Sequence, residues 1–209
     1  MTELIVDSFI IFFVVVDPIG LAPMFAALTP GASPALRRRL ARRGVLIAGV
    51  ILFAFVIVGD ALLRALGIGL ASFQIAGGVL LFLLAVDMLF VRHSGLRSTT
   101  AREQKEAAHR KDISVFPLAI PLIAGPGALT TVLLMVGDQG DNPAVIGATL
   151  AVVVLVLGIT LAALFLSGRL LRLIGETGAN VVSRVLGVVL AALAVQYILD
   201  GLQAGLPAF

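Results

Sequence analysis

The chain has 209 residues, of which 60% are hydrophobic and 13% are charged, and its mean hydropathy is +1.13. An ordinary soluble domain has about twice that charged fraction, so the composition excludes a soluble globular protein and indicates an integral membrane protein. The chain has no cysteine, which excludes disulfides, thiolate metal sites and cysteine nucleophiles, and its net charge of +3 is unevenly distributed along the sequence.

Six stretches with few charged residues follow one another, and each has the roughly 20 residues that a membrane-spanning helix needs. The first lacks the short apolar core and cleavage site of a signal peptide, so we expect it to remain in the mature protein. The predicted fold is an all-α membrane protein with six transmembrane helices in a single domain, residues 1–209. These stretches, called spans 1 to 6, cover about residues 4–28, 44–66, 67–91, 113–137, 143–168 and 179–203.

Spans 1 and 4 each contain helix-breaking residues in the middle of an apolar run. Span 1 reads VVVDPIGLAP at 14–23, and span 4 reads IAGPGALTT at 123–131. Proline removes an amide donor and glycine frees the backbone, so we predict that both helices are interrupted, at about 17–20 and 124–127. An unsatisfied peptide group in hydrocarbon costs several kcal/mol, so such breaks are expected inside the protein or beside a wet cavity.

The second half of the chain repeats the first. A shift of 109 residues aligns 66–87 with 175–196 and matches Gly78 with Gly187, among others. Each half has three spans, an odd number, so the second copy must enter the membrane from the opposite side. The sequence therefore predicts two inverted three-helix repeats, about 1–91 and 113–209, joined by a cytoplasmic connection at 92–112.

The alignment of the two breaks has two solutions. A shift of 108 pairs Pro18 with Pro126, whereas a shift of 103 pairs Pro18 with Pro121 and Pro23 with Pro126. The register at the breaks is left open by the sequence. In either register the breaks recur in corresponding helices, which favours a binding site over a pair of kinks that only shape packing.

The ends of broken helices offer amide donors for a carboxylate and carbonyl oxygens for an ammonium group or cation. An amino acid zwitterion carries both charges. Asp17 either caps the second half of its helix or binds the substrate ammonium or a coupled proton, and the two threonines either bind the ligand or bond back to the preceding turn. The predicted substrate-binding residues are Asp17, Pro18, Gly20, Gly125, Pro126, Gly127, Thr130 and Thr131.

Two further polar residues within the spans correspond under the 109-residue shift. Asp87 and Gln196 are candidates for ion coupling or polar lining, although Asp87 lies five residues from Arg92 and is equally consistent with the headgroup region. A carboxylate pair of Asp17 and Asp87 would suit an intramembrane enzyme, but the chain lacks the YD and GxGD settings that resemble aspartyl membrane proteases. A non-transporting scaffold would leave the paired breaks unexplained.

The basic residues indicate the orientation. Thirteen of the fifteen lysines and arginines lie between spans 1 and 2, 3 and 4, or 5 and 6. Basic loops stay in the cytoplasm, so these connections are predicted inside the cell and both termini outside the cytoplasm. The run RRRLARR at 37–43 is therefore assigned to topology rather than to nucleic-acid binding.

The chain resembles the MarC family of integral membrane proteins, within the wider LysE-type superfamily of small exporters. The resemblance runs through VVVDPIGLAPMF, FQIAGGVLLFLLAVDML, FPLAIPLIAGPGALTT and SRVLGVVLAALAVQYILDGL, and so covers nearly the whole chain. It implies a six-helix protein of the cytoplasmic membrane, and some members are described as neutral amino acid transporters that take glycine or alanine.

Together these observations predict a secondary transporter or exporter, not an enzyme, for small neutral amino acids or similar zwitterions. The expected partners are this small-molecule substrate and the lipid bilayer, with a coupled proton or sodium ion and a homo-oligomer left open. No nucleic acid, metal or cofactor is expected.

The orientation can be tested with a reporter fused after Phe209. Because thirteen basic residues hold the other connections inside the cell, the reporter is expected to be active outside the cytoplasm. A C-terminus that reports from the cytoplasm would reverse the assignment.

Overall fold

The computed structural model describes residues 2–90, 112–137 and 142–205, and within these ranges the regular elements are helical. Most of the predicted 92–112 connection lies outside the described residues. The elements, in chain order, are α1 (Thr2–Val16), α2 (Pro18–Leu28), α3 (Pro34–Ala65), α4 (Leu70–Phe90), an irregular segment (Ser114–Ile123), α5 (Pro126–Val136), α6 (Pro143–Phe165) and α7 (Ser167–Gly205).

The described residues contain five stretches that are long and apolar enough to cross a membrane. The number becomes six if the irregular segment and α5, which are bent by 53° relative to each other, form one span. The five are Ile5–Leu28, Pro34–Ala65, Leu70–Phe90, Pro143–Phe165 and Ser167–Gly205.

Side chains on the outside of the helix bundle are largely apolar. On α3, Leu46 and Val50 are 69% and 70% exposed, as expected for side chains that face lipid. The interior is packed around fully buried aromatic residues of the first span, Phe12 and Phe25. These two phenylalanines lie on either side of the break in that span, so the break itself is inside the bundle.

The half-helices that follow the two breaks have the same length and begin with the same residue type. Both α2 and α5 have 11 residues and begin with a proline, at Pro18 and Pro126, which are 108 residues apart. Proline suits the first helical position because its missing amide has no intrahelical partner there. The observed helix starts therefore select the 108-residue register over the 103-residue one.

The next helix in each half also begins in the same way. Ser33 accepts a hydrogen bond from the Leu36 amide at 3.3 Å, and Asn142, 109 residues later, accepts one from the Ala144 amide at 3.0 Å. Each cap precedes a proline at the first helical position. This cap starts α3 ten residues before the predicted span 2, because the arginine-rich stretch continues the helix beyond its apolar part.

Two left-handed glycines mark the start of the third helix in each half. Gly67 has φ 69° just before α4, and Gly175 has φ 68° and ψ 172° within α7. A residue with a Cβ is disfavoured at this φ, so glycine permits the change of direction. The segment Ser167–Ile174 is therefore helical but separate in direction from the rest of α7, a feature that the sequence prediction of span 6 did not include.

α4 and α7 form the most extensively packed pair and run antiparallel. A Cβ added at Gly78 would lie 2.7 Å from the Ala194 carbonyl oxygen and 2.7 Å from Ile198. A Cβ added at Gly187 would lie 3.2 Å from the Ala85 carbonyl oxygen, with Leu89 also within contact distance. Both glycines therefore allow the two helices to approach each other closely.

Arginines of the first connection reach the ends of two other helices. The Arg37 guanidinium donates to the Thr29 carbonyl oxygen at 2.9 Å, just beyond the end of α2. The Arg42 guanidinium lies over the Phe165 ring, 5.6 Å from its centroid, at the end of α6. The first and fifth spans therefore end at the same side of the bundle.

The same end also holds the start of the fourth span. Arg43 pairs with Asp112, which accepts hydrogen bonds from the amide and the hydroxyl of Ser114. The hydrogen bond from the Ser114 side chain, then that from its amide, and the nearby arginines lower the pKa of Asp112, so this carboxylate is charged at neutral pH. Arg42 and Arg43 of the first connection thus contact the end of the fifth span and the start of the fourth at one end of the bundle.

Substitution of Gly78 by alanine tests the packing of α4 on α7. The added methyl group would meet backbone atoms of α7, and overpacking of this kind costs roughly 1–3 kcal/mol. We expect a lower melting temperature in detergent for Gly78→Ala. The control is Gly158→Ala, where a Cβ meets nothing within 4 Å and helix propensity favours alanine. Equal melting temperatures for the two variants would contradict the described contact.

Candidate functional site

The first break is a single residue wide. α1 ends at Val16, α2 begins at Pro18, and Asp17 between them is left-handed, with φ 46° and ψ 68°. The Asp17 amide still donates to the Phe13 carbonyl oxygen at 2.9 Å, and its own carbonyl oxygen accepts from the Leu21 amide at 3.0 Å. The predicted interruption of span 1 is therefore present, although the Asp17 amide and carbonyl oxygen keep their helical hydrogen bonds.

The Asp17 side chain is enclosed in the bundle, with a relative exposure of 1%. Its Oδ1 accepts from the Gly20 amide at 2.9 Å, which caps α2, and its Oδ2 accepts from the Ser183 hydroxyl at 2.8 Å. Aspartate is among the few residue types that tolerate a left-handed conformation. The capping role considered from the sequence is thus present, and Ser183 on α7 is a partner that sequence reasoning missed.

Gly20 fits closely against this pair. A Cβ at Gly20 would collide with Asp17 Oδ2 and would lie 2.5 Å from Ser183 Oγ. No larger residue fits unless the carboxylate or the hydroxyl moves. The three residues therefore form one compact contact between the first break and α7.

The second break follows a stretch that is not a regular helix. Pro117 and Pro121 remove amide donors from the Ser114–Ile123 segment, the peptide bonds before both prolines are cis, and Phe116 and Ile120 have extended backbone angles. Wide turns replace the helix, as in the hydrogen bond of 2.8 Å from the Ala124 amide to the Ala119 carbonyl oxygen. The break predicted at 124–127 is therefore present, with an irregular coil on its N-terminal side.

α5 begins after Gly125 without a capping side chain from the described part of the chain. The Gly125 carbonyl oxygen accepts the first helical hydrogen bond, from the Leu129 amide at 3.0 Å. A Cβ at Gly125 would collide with the Pro121 carbonyl oxygen. This glycine is thus required by the close approach of the irregular segment, and it leaves the first amides of α5 uncovered by its own side chain.

A small cavity of about 10 Å³ lies at the second break. It is large enough for about one water molecule. A Cβ at Gly127 would lie 2.9 Å from Leu84 and 3.6 Å from Val15, so the end of α1 approaches the start of α5 here. The lining residues are Val15, Leu84, Pro121, Leu122, Ile123, Gly125, Pro126, Gly127 and Ala128.

The two threonines after the second break are both buried, at 4% and 0% exposure. The Thr131 hydroxyl donates to the Gly127 carbonyl oxygen at 2.8 Å, which is the bond to the preceding turn considered from the sequence. The Thr130 methyl group packs against Gly77 of α4. In this conformation one hydroxyl is therefore bonded within α5.

Asp87 and Gln196 are in different surroundings. Asp87 is half-buried and lies one turn beyond the cavity-lining Leu84 on α4. Gln196 is exposed and donates to Asp200 Oδ1 at 2.7 Å. It lies 13 residues beyond Ser183 on α7, about 20 Å along the helix from the first break. In this conformation the Gln196 amide is exposed and pairs within its own helix, away from the two breaks.

The sequence pattern of the MarC family integral membrane proteins matches residues 2–206. The chain belongs to the MarC family. A UPF0056 membrane protein of Archaeoglobus fulgidus is 37% identical over 195 residues, covering 93% of this chain and 90% of the relative. The UPF0056 membrane protein YvbG of Bacillus subtilis is 36% identical, with 99% and 98% covered.

Another relative is the UPF0056 inner membrane protein YhgN of Escherichia coli K12. It is 32% identical over 199 residues, covering 95% of this MarC-family chain and 96% of the relative. No solved structure matches the chain. Among the residues that the structure describes, no group of three metal-ligating side chains is close enough to hold a metal ion.

Two substitutions of Asp17 separate capping from charge in this MarC-family protein. Asp17→Asn keeps an oxygen for the Gly20 amide and tolerates the left-handed backbone, whereas Asp17→Ala provides neither. Loss of an N-cap costs about 0.5–2 kcal/mol, so we expect a lower melting temperature for the alanine variant and a nearly parental one for asparagine. If asparagine destabilises as much as alanine, the negative charge rather than the cap holds the break.

Proposed function

We propose that the chain is a secondary transporter or exporter of small neutral amino acids or similar zwitterions in the cytoplasmic membrane. The substrate binds between the two breaks. The inner-membrane description of YhgN supports the location. The observation that carries the proposal is that similar half-helices follow both breaks, but among the described residues only the first is capped by a carboxylate.

The proposal includes an inverted repeat, and the packing of α4 on α7 supports it. Gly78 contacts Ala194 and Ile198, and the residues 109 positions away make the same contacts, since Gly187 meets Ala85 and Leu89. Two antiparallel helices with mutually equivalent contacts are related by a two-fold axis between them. An axis in the membrane plane would relate two three-helix halves of opposite topology, which is a common transporter architecture.

The same symmetry supports a carboxylate site at the start of α5. Asp17 corresponds to Gly125 and Gly20 corresponds to Ala128 in the 108-residue register. In the first half the Asp17 carboxylate accepts from the Gly20 amide. In the second half a glycine stands in place of the aspartate and the cavity lies beside Ala128. A substrate carboxylate would occupy on α5 the position that Asp17 occupies on α2.

The proposed site favours small and neutral substrates. Apart from Asp17, the residues at the two breaks are uncharged, and a charged substrate side chain would require a further buried counter-charge. The cavity holds about one water molecule, so the present conformation is the closed one and the breaks must separate to admit glycine or alanine. Alternating movement of the two halves would produce that separation.

The orientation completes the proposal. Arginines of the first connection lie at one end of the bundle, where Arg42 contacts Phe165 and Arg43 pairs with Asp112. The positive-inside rule assigns this end to the cytoplasm and both termini to the opposite side. Substrate would then pass between the end that carries the arginines and the end that carries Gly67.

Uptake and counterflow in proteoliposomes with labelled glycine, alanine, lysine and glutamate test the proposed function. We expect movement of glycine and alanine and much slower movement of lysine and glutamate. Gly127→Ala adds a methyl group against Leu84 at the cavity. Because one methyl group matters in a small site, we expect this variant to transport alanine roughly tenfold or more slowly than the parent.

The matched control is Gly147→Ala on α6, where a Cβ meets nothing within 4 Å, and its transport should be parental. Equal movement of lysine and alanine, or no movement of any amino acid under several imposed gradients, would contradict the proposed function. If Gly127→Ala transports alanine at the parental rate, the cavity is not part of the substrate-binding site.

A further inference from the structure

A hydrogen bond between the side chains of Asp17 and Ser183 joins the first break to the last described helix. Its two residues are 166 positions apart, and the oxygens are separated by 2.8 Å. Asp17 belongs to the first half and Ser183 to the second. Any movement of the halves that separates the first break from α7 must therefore break this bond.

This contact has no counterpart at the second break. The symmetry that relates Gly78 to Gly187 relates Ser183 to Gln74 on α4, and Asp17 corresponds to Gly125. Gly125 has no side chain to accept a hydrogen bond. The two halves thus have similar main-chain elements but differ in this polar contact. The similarity of the elements alone does not explain why Ser183 faces a carboxylate.

Gly20 packs closely against both partners of this hydrogen bond. A Cβ at Gly20 would collide with Asp17 Oδ2 and lie 2.5 Å from Ser183 Oγ, so there is no room for a side chain between Gly20 and these two groups. A substrate ammonium that binds Oδ2 from the side of α7 would take the place of the Ser183 hydroxyl. The hydroxyl and an ammonium group are both hydrogen-bond donors and would compete for the same oxygen.

We propose that Ser183 is a positioning residue that holds Asp17 in the closed state and is replaced by the substrate ammonium when the site opens. This inference rests on the proposed transport function. The Ser183 bond stabilises the state without substrate and is absent from the state with substrate. Its removal should therefore increase the population that binds substrate, and with it the apparent affinity.

Kinetics of alanine counterflow in proteoliposomes test the role of Ser183. Hydrogen bonds to a charged group are among the stronger ones, so Ser183→Ala is expected to lower the KM for alanine roughly three- to tenfold. Ser183→Thr keeps the hydroxyl and should restore the parental KM. The control is Ser72→Ala on α4, where the serine is exposed.

A purely structural role would instead leave the KM of Ser183→Ala unchanged or raise it together with a loss of folded protein, and either result would overturn the inference. If the parent moves no amino acid, the proposed function fails. If the parent moves alanine and Ser183→Ala has the parental KM, only the role of Ser183 fails.

A second measurement uses the absence of cysteine from the parent chain. In Ser183→Cys the introduced thiol is the only one, and a small methanethiosulfonate reagent reports its accessibility. Saturating alanine should increase the labelling rate several-fold, because the ammonium group displaces residue 183 from Asp17. An unchanged or slower rate, in a variant that still transports alanine, would contradict the displacement.

Discussion

A peptide group without a hydrogen-bond partner is costly in a membrane, and the arrangement around Asp17 meets that constraint. The buried carboxylate accepts from the Gly20 amide and the Ser183 hydroxyl, so the start of α2 is satisfied inside the bundle. The Asp17 amide and carbonyl oxygen keep their helical main-chain hydrogen bonds. A broken helix can therefore exist here without exposing polar backbone to lipid, and the packing of α7 against α2 depends on it.

The second break meets the same constraint in a different way. Its irregular N-terminal side is packed against α3, where a Cβ at Gly44 would meet Leu118 and the Ser114 carbonyl oxygen. The start of α5 is not capped by a side chain from the described residues, and a cavity adjoins it. One break is thus capped by a carboxylate of the chain, and we propose that the other receives the carboxylate of a ligand. This difference within a repeated architecture is the basis of the transport proposal.

The helix breaks and the apolar spans were predictable from the sequence, because prolines, glycines and the length of an apolar stretch determine the local backbone structure. Pro18 and Pro126 predicted the two breaks, and the structure has helix starts at both. The early start of α3 was missed because arginines end an apolar span but not a helix. The coil before Gly125 was also missed, since two prolines four residues apart indicate disruption without specifying its form.

The partner of Asp17 could not be predicted from the sequence. Ser183 lies 166 residues away, and only the packing of α2 on α7 brings the two together. Gln196, in contrast, was singled out from the sequence but lies away from the breaks. It matched Asp87 in the repeat, yet it faces outward and pairs with Asp200. Sequence symmetry relates positions along helices, but the direction of each side chain depends on how the helices rotate against their neighbours.

The most direct test of the central claim is competition in alanine counterflow between compounds that lack one of the two charges. Alaninol keeps the ammonium group but has no carboxylate for the amides of α5, and propionate keeps the carboxylate but has no ammonium group for Asp17. If both charges are bound at the breaks, each compound should compete at least about tenfold more weakly than alanine. Competition by alaninol as strong as that by alanine would contradict a carboxylate site at the start of α5.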